Sequence, residues 1–246
     1  MPDTKFLPGS LSVRRDSTRG HHPGELCVKM WFMTVSVHLV RHGEVFNPDK
    51  VLYGRLPGFG LSSLGLQMAQ ELADSWHPAP EVLVSSPLQR AQETIAPLAK
   101  KFGLDIRTER RVIEAGNKFQ GLSDMRRQLR NPKLWPLVLN PWRPSWGEPY
   151  VQQAARMAGA IQDLRDELMF THGPGASAVV VSHQLPIWVT RLSAEAKPLA
   201  HDPRYRECSL ASVTSFEFSP GQRVPTVRYR EPVKHLSKQA AALPGA

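Results

Sequence analysis

Cysteine is scarce in this chain: 246 residues hold only Cys27 and Cys208. Two thiols exclude a disulfide-framed scaffold and any zinc cluster built on cysteine. They fit a reducing compartment, so the expected localisation is cytoplasmic. Long apolar runs are also missing. The longest, Met30 to Val40, is interrupted by Thr34, Ser36 and His38. It falls well short of the about 20 apolar residues that a membrane helix needs, and no membrane partner is expected. The glycine-lysine loop that cradles nucleotide phosphates is absent. No repeat recurs at a fixed period. His21, His22, His77, His172, His201 and His235 show no spacing that suggests metal ligands. Acidic residues number 22 against 31 Lys plus Arg, a formal net charge of +9. That excess favours anionic partners without naming one.

What is present describes an ordinary globular protein. The hydrophobic share is 41%, enough for a packed core. The 22 prolines suggest many loops. Residues 1–32 are polar and without periodicity, and read as a disordered leader. An export signal would need an apolar run directly after Arg14-Arg15 and a small-residue cleavage site after Val40; neither is there. Met30 or Met33 is the expected natural start. Residues 231–246 also lack a pattern and are expected to fray. The folded domain is thus expected over 33–230.

Within it, Thr34–Val40 reads as a buried strand. Ser62 or Ser63 caps a helix whose Leu64, Met68, Leu72 and Trp76 share one face. Glu81–Val84 reads as a strand. Pro87 is expected to open a second helix, and Pro97 to kink it or end it early. A third strand is expected near Leu104–Arg107. Pro149 starts a long helix with a stripe of Val151, Ala154, Ala158, Ile161, Leu164 and Leu168. Ala178–Val181 is an apolar strand, followed by His183 and a helix opened by Pro186. Leu210–Phe218 and Arg223–Arg230 alternate like a late hairpin. Strands alternating with helices predict an α/β fold, a three-layer α/β/α sandwich with a mostly parallel central sheet. In such sheets ligands bind beyond the carboxyl ends of the strands. Arg41-His42-Gly43 and His183 both fall there. His38, inside the first strand, reads as structural.

Two histidines and an arginine at one sheet edge suit phosphoryl chemistry. Arginine's planar fork binds anionic oxygens in pairs. A histidine with one ring nitrogen held and the other open can attack phosphorus. A nearby carboxylic acid would protonate the leaving oxygen.

The motifs carry a resemblance. Val37-His38-Leu39-Val40-Arg41-His42-Gly43-Glu44 resembles the Arg-His-Gly signature of the histidine phosphatase superfamily, also called phosphoglycerate mutase-like. Three further segments follow in that family's order. Ser85 to Thr94 resembles the segment bearing its second phosphate arginine. Ile113-Glu114 with Phe119-Gln120-Gly121 resembles the segment bearing its acid. Val180-Val181-Ser182-His183 resembles the segment bearing its second histidine. The resemblance spans about residues 34–230 and sits closer to the phosphatase-like branch. It implies that His42 is the nucleophile and that Arg41, Arg90 and His183 bind the phosphoryl oxygens. Glu114 would be the general acid and then the base, with Glu44 and Glu93 as competing carboxylates. Asn47 resembles the family's asparagine after the nucleophile, which implies a substrate or phosphate contact, though it stands one residue nearer than in the commonest members. Gln184 stands where a glycine is often seen and is a candidate substrate contact that shapes the pocket. No metal and no cofactor is implied.

The expected activity is therefore a phosphomonoester hydrolase acting on a small anionic phosphorylated metabolite through a phosphohistidine. A phosphoglycerate mutase is the alternative, and a non-catalytic phosphate- or nucleic-acid-binding module a third. Residues 125–146 hold Arg126, Arg127, Arg130, Lys133 and Arg143, three tryptophans, and no Asp or Glu. The stretch about 122–147 reads as an irregular insertion with a short helix near 122–130. It is a solvated basic face or a lid, with Arg126, Arg127 and Arg130 as candidate substrate contacts. Nucleic acid is an unlikely partner. The fold suggests a monomer or homodimer.

Overall fold

The computed structural model describes residues 34–123, 147–220, 222 and 224–240. The expected leader, residues 124–146 of the basic insertion and residues 241–246 lie outside the described residues.

The described chain is a three-layer α/β/α sandwich on a six-stranded sheet of order β3-β2-β4-β1-β5-β6. The strands are β1 (Val35–Arg41), β2 (Val82–Ser85), β3 (Ile106–Thr108), β4 (Ser177–Ser182), β5 (Val213–Phe218) and β6 (Thr226–Arg230). β1, β2, β3 and β4 run parallel to one another, while β5 and β6 form the antiparallel edge. The expected late hairpin is present as β5 and β6.

The period of two explains how the central strands are buried on both faces. Val35, Val37 and Leu39 of β1, Val82 and Val84 of β2, and Ala178 and Val180 of β4 face one core. Val40, Leu83, Val179 and Val181 face the other. Helices α1 (Ser63–Ser75) and α2 (Gln89–Phe102) cover the second face with Met68, Leu72, Trp76, Ile95 and Leu98. Helices α3 (Tyr150–Glu167) and α4 (Gln184–Ala194) cover the first with Met157, Ile161, Leu164 and Ile187. Each such fully buried aliphatic side chain stabilises the fold by about 1.5–3 kcal/mol relative to exposure. Ser62 is the N-cap of α1, its hydroxyl accepting from the Gly65 N–H at 3.0 Å.

Five expectations change. α4 begins at Gln184, two residues before Pro186, with His183 as its N-cap. α2 begins at Gln89, not Pro87, because the Leu88 N–H turns back to the Ser86 hydroxyl at 3.4 Å. It runs through Pro97 to Phe102, since Ile95 and Leu98 on either side are buried and hold the helix to the sheet. In α3, Val151 is exposed, and the buried stripe passes through Ala154, Met157, Ala160, Ile161 and Leu164. Residues 231–240 do not fray: Val233 and Leu236 are buried in the α1–α2 core, and Lys234–Ser237 forms the short helix α5. Among the described residues no helix is long and apolar enough to cross a membrane.

Candidate active site

β2, β4 and β1 lie side by side, and their carboxyl ends bring three motifs together. Arg41 pairs in register with Ser182. Just beyond, the His42 N–H bonds the Ser182 carbonyl at 3.1 Å and the Ser86 N–H bonds the Val181 carbonyl at 3.0 Å. The rings of His42 and His183 consequently lie 5.2 Å apart, both buried.

His42 leaves β1 into a tight passage. A Cβ on Gly43 would lie 2.7 Å from the Gly65 carbonyl oxygen, so glycine lets the strand end press against α1. The Gly43 N–H donates to the Thr94 hydroxyl at 3.1 Å, and that hydroxyl donates to the Arg90 carbonyl at 2.7 Å. One side chain thus ties the first motif to the second. His42 Nδ1 lies 2.7 Å from the Gly43 carbonyl. A carbonyl only accepts, so Nδ1 carries the hydrogen and Nε2 holds the lone pair. Burial, then the Arg90 and Arg41 charges, keep the ring's pKa well below the usual histidine value. His42 is a neutral imidazole with a fixed tautomer.

Two arginines flank it. Arg41 donates from Nη1 to the Cys208 carbonyl at 2.6 Å. Arg90, in the first turn of α2, donates from Nη2 to the Gly54 carbonyl at 2.8 Å and lies 4.7 Å above the Tyr53 ring. Its Nε is buried with no hydrogen-bond partner, a donor position suited to a ligand oxygen. His183 Nε2 meets the Ser86 hydroxyl at 2.8 Å. Its Nδ1 is likewise buried without a hydrogen-bond partner and faces Glu114 Oε2 at 3.9 Å, too far for a hydrogen bond. Burial, Arg90 and His42 hold the His183 pKa well below its usual value.

Glu114 follows the 3₁₀ turn Arg110–Val112. Its Oε1 accepts from the Ala115 N–H at 2.7 Å, and its Oε2 faces His183. Burial raises its pKa above the ordinary carboxyl value, against the opposing pull of Arg90 and Arg41. Its backbone is clamped: the Glu114 carbonyl accepts from Arg55 Nε at 2.7 Å and Arg156 Nη2 at 3.5 Å. Glu148 bridges both arginines, at 2.9 Å to Arg55 and 2.7 Å to Arg156. The competing carboxylates are engaged elsewhere: Glu44 accepts from Ser62 Oγ at 2.6 Å and Glu93 from the Leu61 N–H at 2.6 Å.

The structure therefore brings Arg41, His42, Arg90, Glu114 and His183 together. Asn47, which the resemblance implies as a substrate or phosphate contact, bonds its own loop. Its amide closes the following loop, donating to the Val51 carbonyl at 2.8 Å and accepting from the Val51 N–H at 3.0 Å. Gln184 lines a cleft of about 250 Å³ with Glu114, Glu148, Tyr150 and Arg206. Arg126, Arg127, Arg130 and Lys133 lie outside the described residues. His38 is structural, bonded to Ser215 Oγ at 2.7 Å and stacked edge-on with Trp76. Ser86, Thr94 and Arg206 have no role assigned from the sequence. The first two sit inside the quoted Ser85–Thr94 segment; Arg206 sits in a loop without any motif. Among the described residues no group of three or more His, Cys, Asp or Glu side chains is gathered as a metal site.

Comparison with known proteins agrees with this geometry. The family model of the histidine phosphatase superfamily (branch 1) matches residues 37–229. An uncharacterized protein of Mycobacterium tuberculosis strain H37Rv is 47% identical over 199 residues, 80% of this chain and 96% of the relative. A glucosyl-3-phosphoglycerate phosphatase of the same species is 28% identical over 214 residues, 83% of this chain and 96% of that protein. The native structure of a mycobacterial glucosyl-3-phosphoglycerate phosphatase superposes with a TM-score of 0.65 at 25% identity, covering 80% of this chain and 97% of that one. The chain belongs to the histidine phosphatase superfamily, branch 1.

Proposed function

We propose that the protein is a phosphomonoester hydrolase that works through a phosphohistidine on His42 and acts on a small anionic phosphorylated metabolite. The observation that carries the reading is the fixed tautomer of His42. Its Nδ1–H is held by the Gly43 carbonyl, so the Nε2 lone pair is presented beside two arginines and a second histidine. In the first step Nε2 attacks phosphorus, and the bond from phosphorus to the ester oxygen breaks. Arg41, Arg90 and His183 hold the non-bridging oxygens as charge develops. Glu114, kept protonated to higher pH by burial, gives its proton to the departing alkoxide. In the second step the Glu114 carboxylate takes a proton from water, the water oxygen bonds phosphorus, and the electron pair of the N–P bond returns to Nε2. Phosphate leaves and both residues are restored.

The test compares wild type with His42→Ala on para-nitrophenyl phosphate and on 3-phosphoglycerate, with and without 2,3-bisphosphoglycerate. Phosphate release that disappears in the variant is the expected result. Conversion of 3- to 2-phosphoglycerate with little free phosphate would establish a mutase instead. Activity that survives His42→Ala would remove the nucleophile from the account.

A further inference from the structure

Tyr53 takes no part in the steps above, yet it stands among the groups that carry them. Its side chain is fully buried, and among the described residues its hydroxyl has no hydrogen-bond partner. The Arg90 guanidinium lies 4.7 Å from the centre of its ring, and the Phe59 ring lies 5.2 Å away. Burial raises the pKa of the hydroxyl above the ordinary tyrosine value, and the charges that act on it are Arg90, Arg41 and Glu114. These are the two arginines assigned to the phosphoryl oxygens and the acid. The hydroxyl therefore sits in the electrostatic field of the phosphoryl site and keeps its proton there, so it is a donor.

The main chain around Tyr53 holds the ring in place. The Leu52 N–H donates to the Leu122 carbonyl and the Gly121 N–H to the Leu52 carbonyl, both at 2.9 Å. The Arg55 N–H donates to Gln120 Oε1 at 3.1 Å, and the Gly54 carbonyl accepts from Arg90 Nη2 at 2.8 Å. Tyr53 is thus fastened on one side to the segment that follows Glu114 and on the other to the first turn of α2. A buried hydroxyl with no partner is unfavourable until one arrives. Arg90 Nε and His183 Nδ1 are buried and unpartnered in the same way. A phosphoryl group brings three non-bridging oxygens, enough acceptors for several donors at once. Arg41 and Arg90 already match the two negative charges of a phosphomonoester. A phenol adds a further hydrogen bond without adding buried charge.

We infer that Tyr53 is a further catalytic residue, whose hydroxyl donates a hydrogen bond to a non-bridging oxygen of the phosphoryl group as it passes to His42. The inference rests on the hydrolase reading for the word catalytic. The hydrogen bond itself is a binding property and is tested without turnover. The donor stabilises charge that gathers on the oxygens during transfer, and no proton leaves Tyr53.

Tyr53→Phe keeps the ring beside Arg90 and removes the hydroxyl alone. Orthovanadate, whose vanadium accepts a fifth ligand as phosphorus does during transfer, is the probe, titrated calorimetrically into wild type and variant. A hydrogen bond to a charged oxygen predicts vanadate binding weaker by about ten- to a hundredfold in Tyr53→Phe, with a fall of the same order in kcat/KM on para-nitrophenyl phosphate. Stability moves the other way. The variant loses an unsatisfied buried hydroxyl, so without ligand it melts no lower than wild type. A hydroxyl that merely supports the fold would lower the melting temperature and the activity together, and that result overturns the inference. Vanadate that binds both proteins equally, or neither, overturns it as well, as does an unchanged kcat/KM. Wild type that binds vanadate more tightly than Tyr53→Phe yet releases no phosphate from any ester would refute the hydrolase and leave the hydrogen bond standing.

Discussion

Glu114→Gln separates acid catalysis from every other role the site could give this residue. The amide keeps the shape of the carboxyl, and its oxygen still accepts from the Ala115 N–H now bonded to Oε1 at 2.7 Å. The clamp on the main chain, from Arg55 and Arg156 to the Glu114 carbonyl, does not involve the side chain. The transferable proton is lost and, with it, the carboxylate base of the second step; kcat/KM, which ends at release of the alcohol, reads the first loss alone. A positioned general acid contributes about 10²- to 10⁴-fold, and all of it applies to an alkyl phosphate, whose alkoxide leaves poorly unprotonated. Nitrophenolate leaves well without a proton, so kcat/KM on para-nitrophenyl phosphate is expected to fall less than about tenfold. The pH dependence has a definite sign. Glu114 must be protonated for the first step, and its pKa lies above the ordinary carboxyl value of 4.5. Wild-type kcat/KM on the alkyl ester therefore falls as pH rises through that raised pKa, and Glu114→Gln lacks this limb. Steady-state kinetics on the two esters across pH decides the matter. Equal losses in kcat/KM on both would refute the assignment, because a distorted site slows the first step of both, whereas an equal fall in kcat reports the lost base of the shared second step.

Other expectations follow from particular contacts. Gly43→Ala sets a Cβ 2.7 Å from the Gly65 carbonyl oxygen and 3.2 Å from its Cα. Neither backbone atom can yield easily, so urea unfolding should show a loss of about 1–3 kcal/mol. His38 has its pKa lowered to about 4 by burial and by Arg230. The unfolded chain takes that proton first, so stability falls as pH drops from 6.5 toward 4, by about 3 kcal/mol from this residue. His38→Asn should flatten the slope in that window, and identical slopes would contradict the argument. Arg156→Met removes one of the two guanidinium partners of Glu148, which lie at 2.7 and 2.9 Å. With Arg55 remaining, the loss in thermal or urea unfolding should be about 1–3 kcal/mol, below that of a fully unpaired buried charge.

The sequence made the strand ends legible because period two leaves little choice. A strand buried on both faces must stop where Arg41-His42 and Ser182-His183 turn polar, and in a parallel sheet those ends share one edge. Arg90 and Glu114 were legible only through segment resemblance, since nothing in local periodicity separates Glu114 from Glu44 or Glu93. Their separation needed the structure, where Ser62 and the Leu61 N–H engage the other two. Pro97 misled because propensity speaks of an isolated helix, whereas Ile95 and Leu98 are anchored in the core. The stripe of α3 holds at Ala154, Ile161 and Leu164, while Val151, in the first turn, is exposed. Val233 and Leu236 are too few to make a pattern, yet both are buried. Arg206 gave no signal at all: its contacts on the cleft wall are Gln184 and His201, 22 and 5 residues away in sequence.

The central claim is that His42 Nε2 receives the phosphoryl group. Rapid alkaline quenching of the enzyme with a radiolabelled phosphate ester, followed by peptide mapping, tests it directly. The account predicts an acid-labile, alkali-stable label on the peptide carrying His42, formed and discharged at rates that match turnover. Label on any other residue, or undiminished phosphate release by His42→Ala with no trapped label, would contradict it.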